Sequence, residues 1–259
     1  MAIMTIAQMQ AAPESSGPLM HGFLLVEPTT LVHAPELAAL DMRPCVHRTL
    51  AHREELMPQL IDVAALDDKA RALATECWMA EMRVERPPVV CAWLDSDAGV
   101  DAVSEHIAQY LVGPGAGGKP VFWRYYDPRV LALTLAVLDR AQREALLGPA
   151  KVWQFAWAGH RWSVTGAGAG LRDADRSLGW PRAEQWTRID RSETADRVVR
   201  RLPVMSVEQT ARLPAALDQL FSDVALSSDA EDVDVLVEFM SERVGNDFAL
   251  DAEIQGSKS

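Results

Sequence analysis

The stretch Gly113–Arg129 reads GPGAGGKPVFWRYYDPR. Its first seven residues fit G-x-x-x-x-G-K, the loop that cradles phosphates in nucleotide-binding proteins. The next part, Val121–Tyr126 (VFWRYY), is β-branched and aromatic and reads as a strand. Asp127-Pro128 then reads as a helix start, with Asp as N-cap and Pro at the first helical position, where a missing N–H costs nothing. A phosphate loop needs the opposite order, a strand before the glycines and a helix after, so that the helix N-terminus meets the phosphates. It also needs Ser or Thr after the Lys to hold magnesium, and Pro120 stands there. The glycines therefore read as a flexible connection from a helix to a strand.

The elements on either side fit that division. Val100, Val103, Ile107 and Leu111 recur at helical spacing, which predicts an amphipathic helix over 99–112. Before it, Val89–Leu94 (VVCAWL) is a fully apolar run and reads as a central strand. Asp67 caps a predicted helix reaching about Glu85, with Leu73, Cys77 and either Ala80 or Glu81 on one side and Pro87-Pro88 as its stop. Phe23–Val26 (FLLV), closed by Glu27-Pro28, reads as a buried strand, and Pro44–Thr49 and Gln59–Val63 as two more. Downstream, Leu131, Leu135 and Leu138 give the helix begun at Asp127 its buried face, and Gly148-Pro149 ends it. Lys151–Ala158 and Arg161–Thr165, joined by Gly159-His160, read as a hairpin.

Residues 166–190 are rich in Gly, Arg and Asp and show little periodicity. Two helices close the chain, opening at Ser206-Val207-Glu208-Gln209 and Ser228-Asp229-Ala230-Glu231, both capping boxes. The first buries Leu213, Leu217, Leu220, Phe221 and Val224. The second buries Val233, Leu236, Val237, Met240, Val244 and Phe248. The order predicts an α/β fold: an N-terminal lobe with a mixed sheet and flanking helices, plus a small all-helical C-terminal lobe. The expected divisions are a loose tail (1–18), the α/β lobe (19–165), a loop or lobe boundary (166–190) and the helical lobe (191–259).

Composition narrows the function. The chain has 259 residues and a formal net charge of −12, so it carries no electrostatic footprint for nucleic acid or an anionic membrane. Three cysteines, Cys45, Cys77 and Cys91, form no C-x-x-C pair and read as buried thiols in a reducing compartment. The first residues lack a basic n-region and a continuous apolar h-region, and no apolar run approaches a membrane span. A cytoplasmic protein is expected.

WLDSDAG (93–99) is the strongest catalytic candidate. An apolar strand delivers Asp95 and Asp97 at its C-terminal end, where α/β sites sit. Asp-x-Asp after a strand is how haloacid-dehalogenase-type phosphatases place a nucleophile and an acid/base. The later acidic pair such an enzyme needs, Asp173 and Asp175 here, follows no apolar strand. The plain alternative is a helix cap and a solvated turn. Cys45, His47 and His52 lie close in sequence but lack a second ligand pair, so neither a metal nor a cofactor is expected. Trp153 and Trp157 on the hairpin suit either a core or an interface.

The strand FWRYYDPRVL (122–131) and the helix ALTLAVLDRAQREALLGP (132–149) together resemble the adaptor-chaperones of bacterial type VI secretion, the Tap/TEC family. Arg124, Tyr125, Tyr126, Asp127, Pro128 and Arg129 stand at that family's Arg-Tyr-Tyr-Asp-Pro-Arg signature, with Gly148-Pro149 behind. The resemblance covers about residues 20–150. Beyond that it is architectural, and 166–182 departs from it. It implies a cytoplasmic adaptor with no catalysis, whose partners are a toxic effector and a VgrG or PAAR-type spike protein.

Arg124 on a strand covered from both faces needs a counter-charge, and Asp127 is the near candidate. Two roles follow for the signature residues. They form an internal Arg–Asp network that fixes the corner, or Arg129 and the tyrosines contact the effector. The alternative function is a metal-dependent phosphatase-like hydrolase using Asp95 and Asp97.

Overall fold

The structure, a computed structural model, describes residues 9–13, 17–83, 86–168, 177–223 and 233–242. The strands are β1 (Gln10–Ala11), β2 (Phe23–Val26), β3 (Arg43–Pro44), β4 (Gln59–Asp62), β5 (Val90–Asp95), β6 (Val112–Pro114), β7 (Pro120–Phe122), β8 (Val152–Trp157) and β9 (His160–Thr165). The helices are α1 (Asp68–Ala80), α2 (Val100–Gln109), α3 (Pro128–Val137), α4 (Arg140–Leu147), α5 (Ala183–Ile189), α6 (Ser192–Val199) and α7 (Val207–Asp223), with a further helical segment at 233–242.

Seven strands form one sheet in the order β1-β9-β8-β5-β2-β4-β3, with antiparallel pairing throughout. The two apolar runs, FLLV and VCAWLD, lie side by side at its centre. Alternation of side chains splits β2 between two cores. Leu24 and Val26 pack with Ile61, Ala74 and Trp78 on the α1 side. Phe23 and Leu25 join Leu60, Cys91, Ile107 and Leu131 on the side covered by α2 and α3. The result is the expected α/β architecture, helices on both faces of a sheet followed by a helical part.

The C-terminal helices share that second core. Contacts run from α3 to α5, α6 and α7, and Leu213, Leu217, Leu220 and Phe221 are buried in the same cluster as the sheet residues. The cap expected at Ser206 forms, with Gln209 N–H donating to Ser206 Oγ at 3.3 Å and Ser206 N–H to Gln209 Oε1 at 2.6 Å. Val233, Leu236 and Met240 are buried as expected. Val224, Val244, Phe248 and the second capping box lie outside the described residues.

Several local expectations are corrected. Within the segment expected as a loose tail, Gln10–Ala11 pairs with β9, and Ala12 N–H continues the edge by donating to Arg161 O. The strand expected over 44–49 is only Arg43–Pro44, because the chain then turns into a 3₁₀ helix from Arg48. Helix α1 starts at its expected cap but buries Ala74 and Trp78 rather than Leu73 and Cys77. The large indole sets the rotation. The strand expected over 121–126 stops at Phe122.

The glycine-rich connection is a β-hairpin, with β6 pairing β7 from Val112↔Phe122 to Pro114↔Pro120. A Cβ at Gly113 would overlap the Trp180 ring, and Trp186 Nε1 donates to Pro114 O at 3.0 Å. The helix expected from Asp127 to Gly148 breaks at Leu138. Asp139 begins a new capping box with Gln142, so α4 starts afresh. Gln142 and Gln185 exchange amide hydrogen bonds at 2.9 Å and tie α4 to α5. The segment expected as a boundary loop thus contains α5, and α6 follows it unforeseen. The β8–β9 hairpin forms as expected, but its turn lies one residue earlier than Gly159-His160: it runs through Ala158 (φ 50°) and Gly159 (φ 78°), the paired positive dihedrals of a tight two-residue turn, and His160 pairs with Trp157.

Candidate functional site

The signature residues meet where β2 ends, the turn after β7 closes and α3 begins. Pro128 starts α3, and Asp127 caps it by accepting from Arg129 N–H at 3.0 Å. Asp127 N–H in turn donates to Arg124 O at 3.0 Å, so the turn before the helix is closed by its own backbone. Arg124 therefore sits in a turn, not on the covered strand expected for it.

Four charged groups interlock here. The Asp127 carboxylate holds the Arg129 guanidinium with both oxygens, Nε at 2.9 Å and Nη2 at 2.5 Å. Arg124 Nη2 donates to Glu27 Oε2 at 2.8 Å and lies 3.6 Å from Asp127 Oδ2. Tyr126 OH also donates to Glu27 Oε2, at 2.9 Å. The other Glu27 oxygen accepts from Thr29 N–H at 3.0 Å and Thr29 Oγ1 at 2.6 Å. Glu27 is only 2 % exposed, yet neither of its oxygens is left unpartnered.

The buried ion pairs here set the protonation states. Burial works against the charge on Arg124, but the nearby Glu27 and Asp127 carboxylates outweigh it and raise its pKa. Arg129 is raised first by its hydrogen bonds to Asp127, against burial. Burial first, and then the Glu27 charge, push the Tyr126 phenol well up. Cys91 is raised by burial and then by Asp127 and Glu27, so the thiol beneath the network stays neutral.

Of the residues nominated from sequence, only the arginines reach the surface, with side-chain exposures of 37 % for Arg124 and 27 % for Arg129. Tyr125 and Tyr126 are fully buried, Tyr125 among the rings of Tyr110, Trp123 and Trp153. Trp153 and Trp157 belong to the core. A contact between these four aromatic residues and a partner is therefore corrected: they shape the corner from behind.

Sequence reading missed the principal partner of Arg124. Glu27 was legible as a carboxylate ending a wholly apolar strand run, a place where a buried charge must be matched.

The other candidates sit apart. Asp95 and Asp97 follow β5 as expected, but Asp97 pairs with Lys151 at 2.5 Å, while Asp95 lies 3.4 Å from His21 Nδ1. Asp173 and Asp175 lie outside the described residues. Burial raises the Cys45 thiol to about 12, and His47 Nδ1 is engaged by Thr49. Among the described residues no three His, Cys, Asp or Glu side chains gather as a metal site.

Beside the network runs a cleft between the β8–β9 turn and the chain from α6 to Met205. One part, of about 370 Å³, reaches from Glu81 past Arg129 to Val204. The other, of about 550 Å³, reaches from Arg124 to Arg197. Arg129, Asp196 and Arg200 line both, so the two adjoin.

Residues 24–145, from β2 into α4, match the family described as "Domain of unknown function (DUF4123)". That segment contains the whole Glu27–Arg124–Asp127–Arg129 network. No curated protein and no solved structure matches the chain. Among the described residues no helix is long and apolar enough to cross a membrane.

Proposed function

We propose, from the DUF4123 match over residues 24–145 and the signature it contains, that this protein is a type VI secretion effector adaptor. It holds a toxic effector in the cytoplasm of the producing cell and helps load it onto a VgrG or PAAR-type spike protein. It performs no chemistry on its partners.

The observation that carries this reading is the state of the signature. Arg-Tyr-Tyr-Asp-Pro-Arg forms a closed network in which Asp127 caps α3 while binding Arg129. Tyr126 and Arg124 share the Glu27 carboxylate. Such an arrangement fixes a strand end, a turn and a helix as one body. A partner surface benefits from that rigidity, because side chains already ordered lose less entropy on binding.

Deleting the gene in the producing cell should abolish export of the effector encoded beside it, while export of the spike protein continues. The intact gene supplied in trans should restore export. Unchanged effector export in the deletion strain would contradict the proposal.

A further inference from the structure

The cleft beside the network is rich in unused donors. Arg129 spends Nε and Nη2 on Asp127, leaving Nη1 without a partner among the described residues. Arg124 spends Nη2 on Glu27, and its Nε is buried with no hydrogen bond. Arg197 is exposed and, among the described residues, has a single 3.4 Å contact, with Thr194 Oγ1. Of the carboxylates that line this end, Asp127 is engaged by Arg129 and Asp196 Oδ2 by Arg200 Nε at 2.9 Å, and Glu193 lies exposed, facing four arginines (Arg124, Arg129, Arg197 and Arg200) along the same lining. On a chain of net charge −12, this is a local surface suited to acceptors.

Two further features narrow what the cleft accepts. At its other end Glu81 is buried. Its Oε1 accepts from Val89 N–H and Val90 N–H, both at 3.1 Å, and from Arg86 Nη2 at 3.4 Å, while Oε2 has no hydrogen bond. An orphaned buried carboxylate oxygen calls for a donor. Along the wall, Val204 is fully exposed beside buried Met205 and Trp157. A phosphate or small carboxylate would supply acceptors but would leave Glu81 unanswered and Val204 wet. An extended polypeptide offers all three: carboxylates and carbonyls for the arginines, backbone N–H for Glu81, and apolar side chains for Val204.

We infer that this cleft binds an extended segment of the effector, carrying Asp or Glu next to apolar residues, with the acid at the Arg129–Arg197 end and the apolar side chain on Val204. The inference rests on the adaptor reading and adds where and how the cargo is held.

The test uses the full chain with a photo-crosslinking amino acid placed at Val204, or at the exposed Val32, which lines neither part of the cleft, as control, co-expressed with the neighbouring effector. Crosslinks to the effector from position 204 and not from 32 are expected. Val204→Asp and Arg197→Glu should each weaken the complex about tenfold or more, equivalent to roughly 1.4 kcal/mol or more. Both positions are exposed, so thermal melts matching the parent chain exclude misfolding. A wild-type complex that forms without crosslinking at 204 and survives both substitutions overturns the cleft but leaves the adaptor reading standing. Crosslinking at 204 to the spike protein instead also overturns it. No complex with the wild-type chain overturns both.

Discussion

Arg124 Nη2 donates to Glu27 Oε2 at 2.8 Å across 97 residues of chain, joining the end of β2 to the turn before α3. The two partners are not equally buried. Glu27 is enclosed and serves Tyr126 and Thr29 as well, whereas Arg124 keeps contact with water. Glu27→Ala should therefore cost about 3–5 kcal/mol, since it strands a phenol and a guanidinium together. Arg124→Ala should cost less, about 1–3 kcal/mol, because its charge is partly screened. Urea unfolding of both single variants and the double variant measures this. The double variant should fall short of additivity by about 1–3 kcal/mol. Strict additivity would mean the pair is not coupled.

Asp127 combines a cap with a counter-charge, and two substitutions separate these roles. Asn retains an acceptor for Arg129 N–H but drops the charge, whereas Ala drops both. Asp127→Ala should be less stable than Asp127→Asn by about 1 kcal/mol, the ordinary worth of an N-cap. Equal losses would assign the whole effect to the ion pair.

His106 gives the fold an acid sensitivity. The ring is buried against Gly148, its Nε2 lies 2.9 Å from Leu146 O, and burial lowers its pKa below the usual 6.5 despite that bond. The unfolded chain then binds a proton that the folded chain refuses as pH drops below 6.5. Stability is full above that value and declines with acidification until the folded-state pKa is reached. Between pH 7.5 and 5, the wild-type melting temperature should fall further than that of His106→Gln. Parallel pH profiles would remove His106 as a cause.

The glycine hairpin separates a packing role from a nucleotide role. Gly113→Ala should lower stability by about 1–3 kcal/mol, because the added methyl meets the Trp180 ring. Lys119→Ala, at an exposed position, should change neither stability nor effector binding. A nucleotide-dependent loss in Lys119→Ala would revive the phosphate-loop reading.

Much of this was legible in the sequence because it is local. FLLV, VVCAWL, the Asp127-Pro128 helix start and the β8–β9 hairpin carry their instructions within a few residues. What was missed depends on tertiary partners. Tyr125 and Tyr126 fitted either an internal network or an effector contact by sequence alone, and enclosure by Tyr110, Trp123 and Glu27 decides for the internal role. The short helices α5 and α6 lie in an Arg- and Asp-rich region, and they are held by Gln142, Trp186 and the α3 surface rather than by strong periodicity. The break at Leu138 was readable in principle, because Asp139 and Gln142 have capping-box spacing. The continuous leucine pattern masked it.

The central claim is that the rigid corner serves to grip another protein and not to catalyse a reaction. Size-exclusion chromatography of the purified chain mixed with the effector encoded beside it tests this most directly, using wild type and Asp95→Ala/Asp97→Ala. A shared peak that persists unchanged in the double variant is the predicted result. A chain that always elutes alone, together with a metal-dependent phosphatase activity abolished by the same two substitutions, would contradict it.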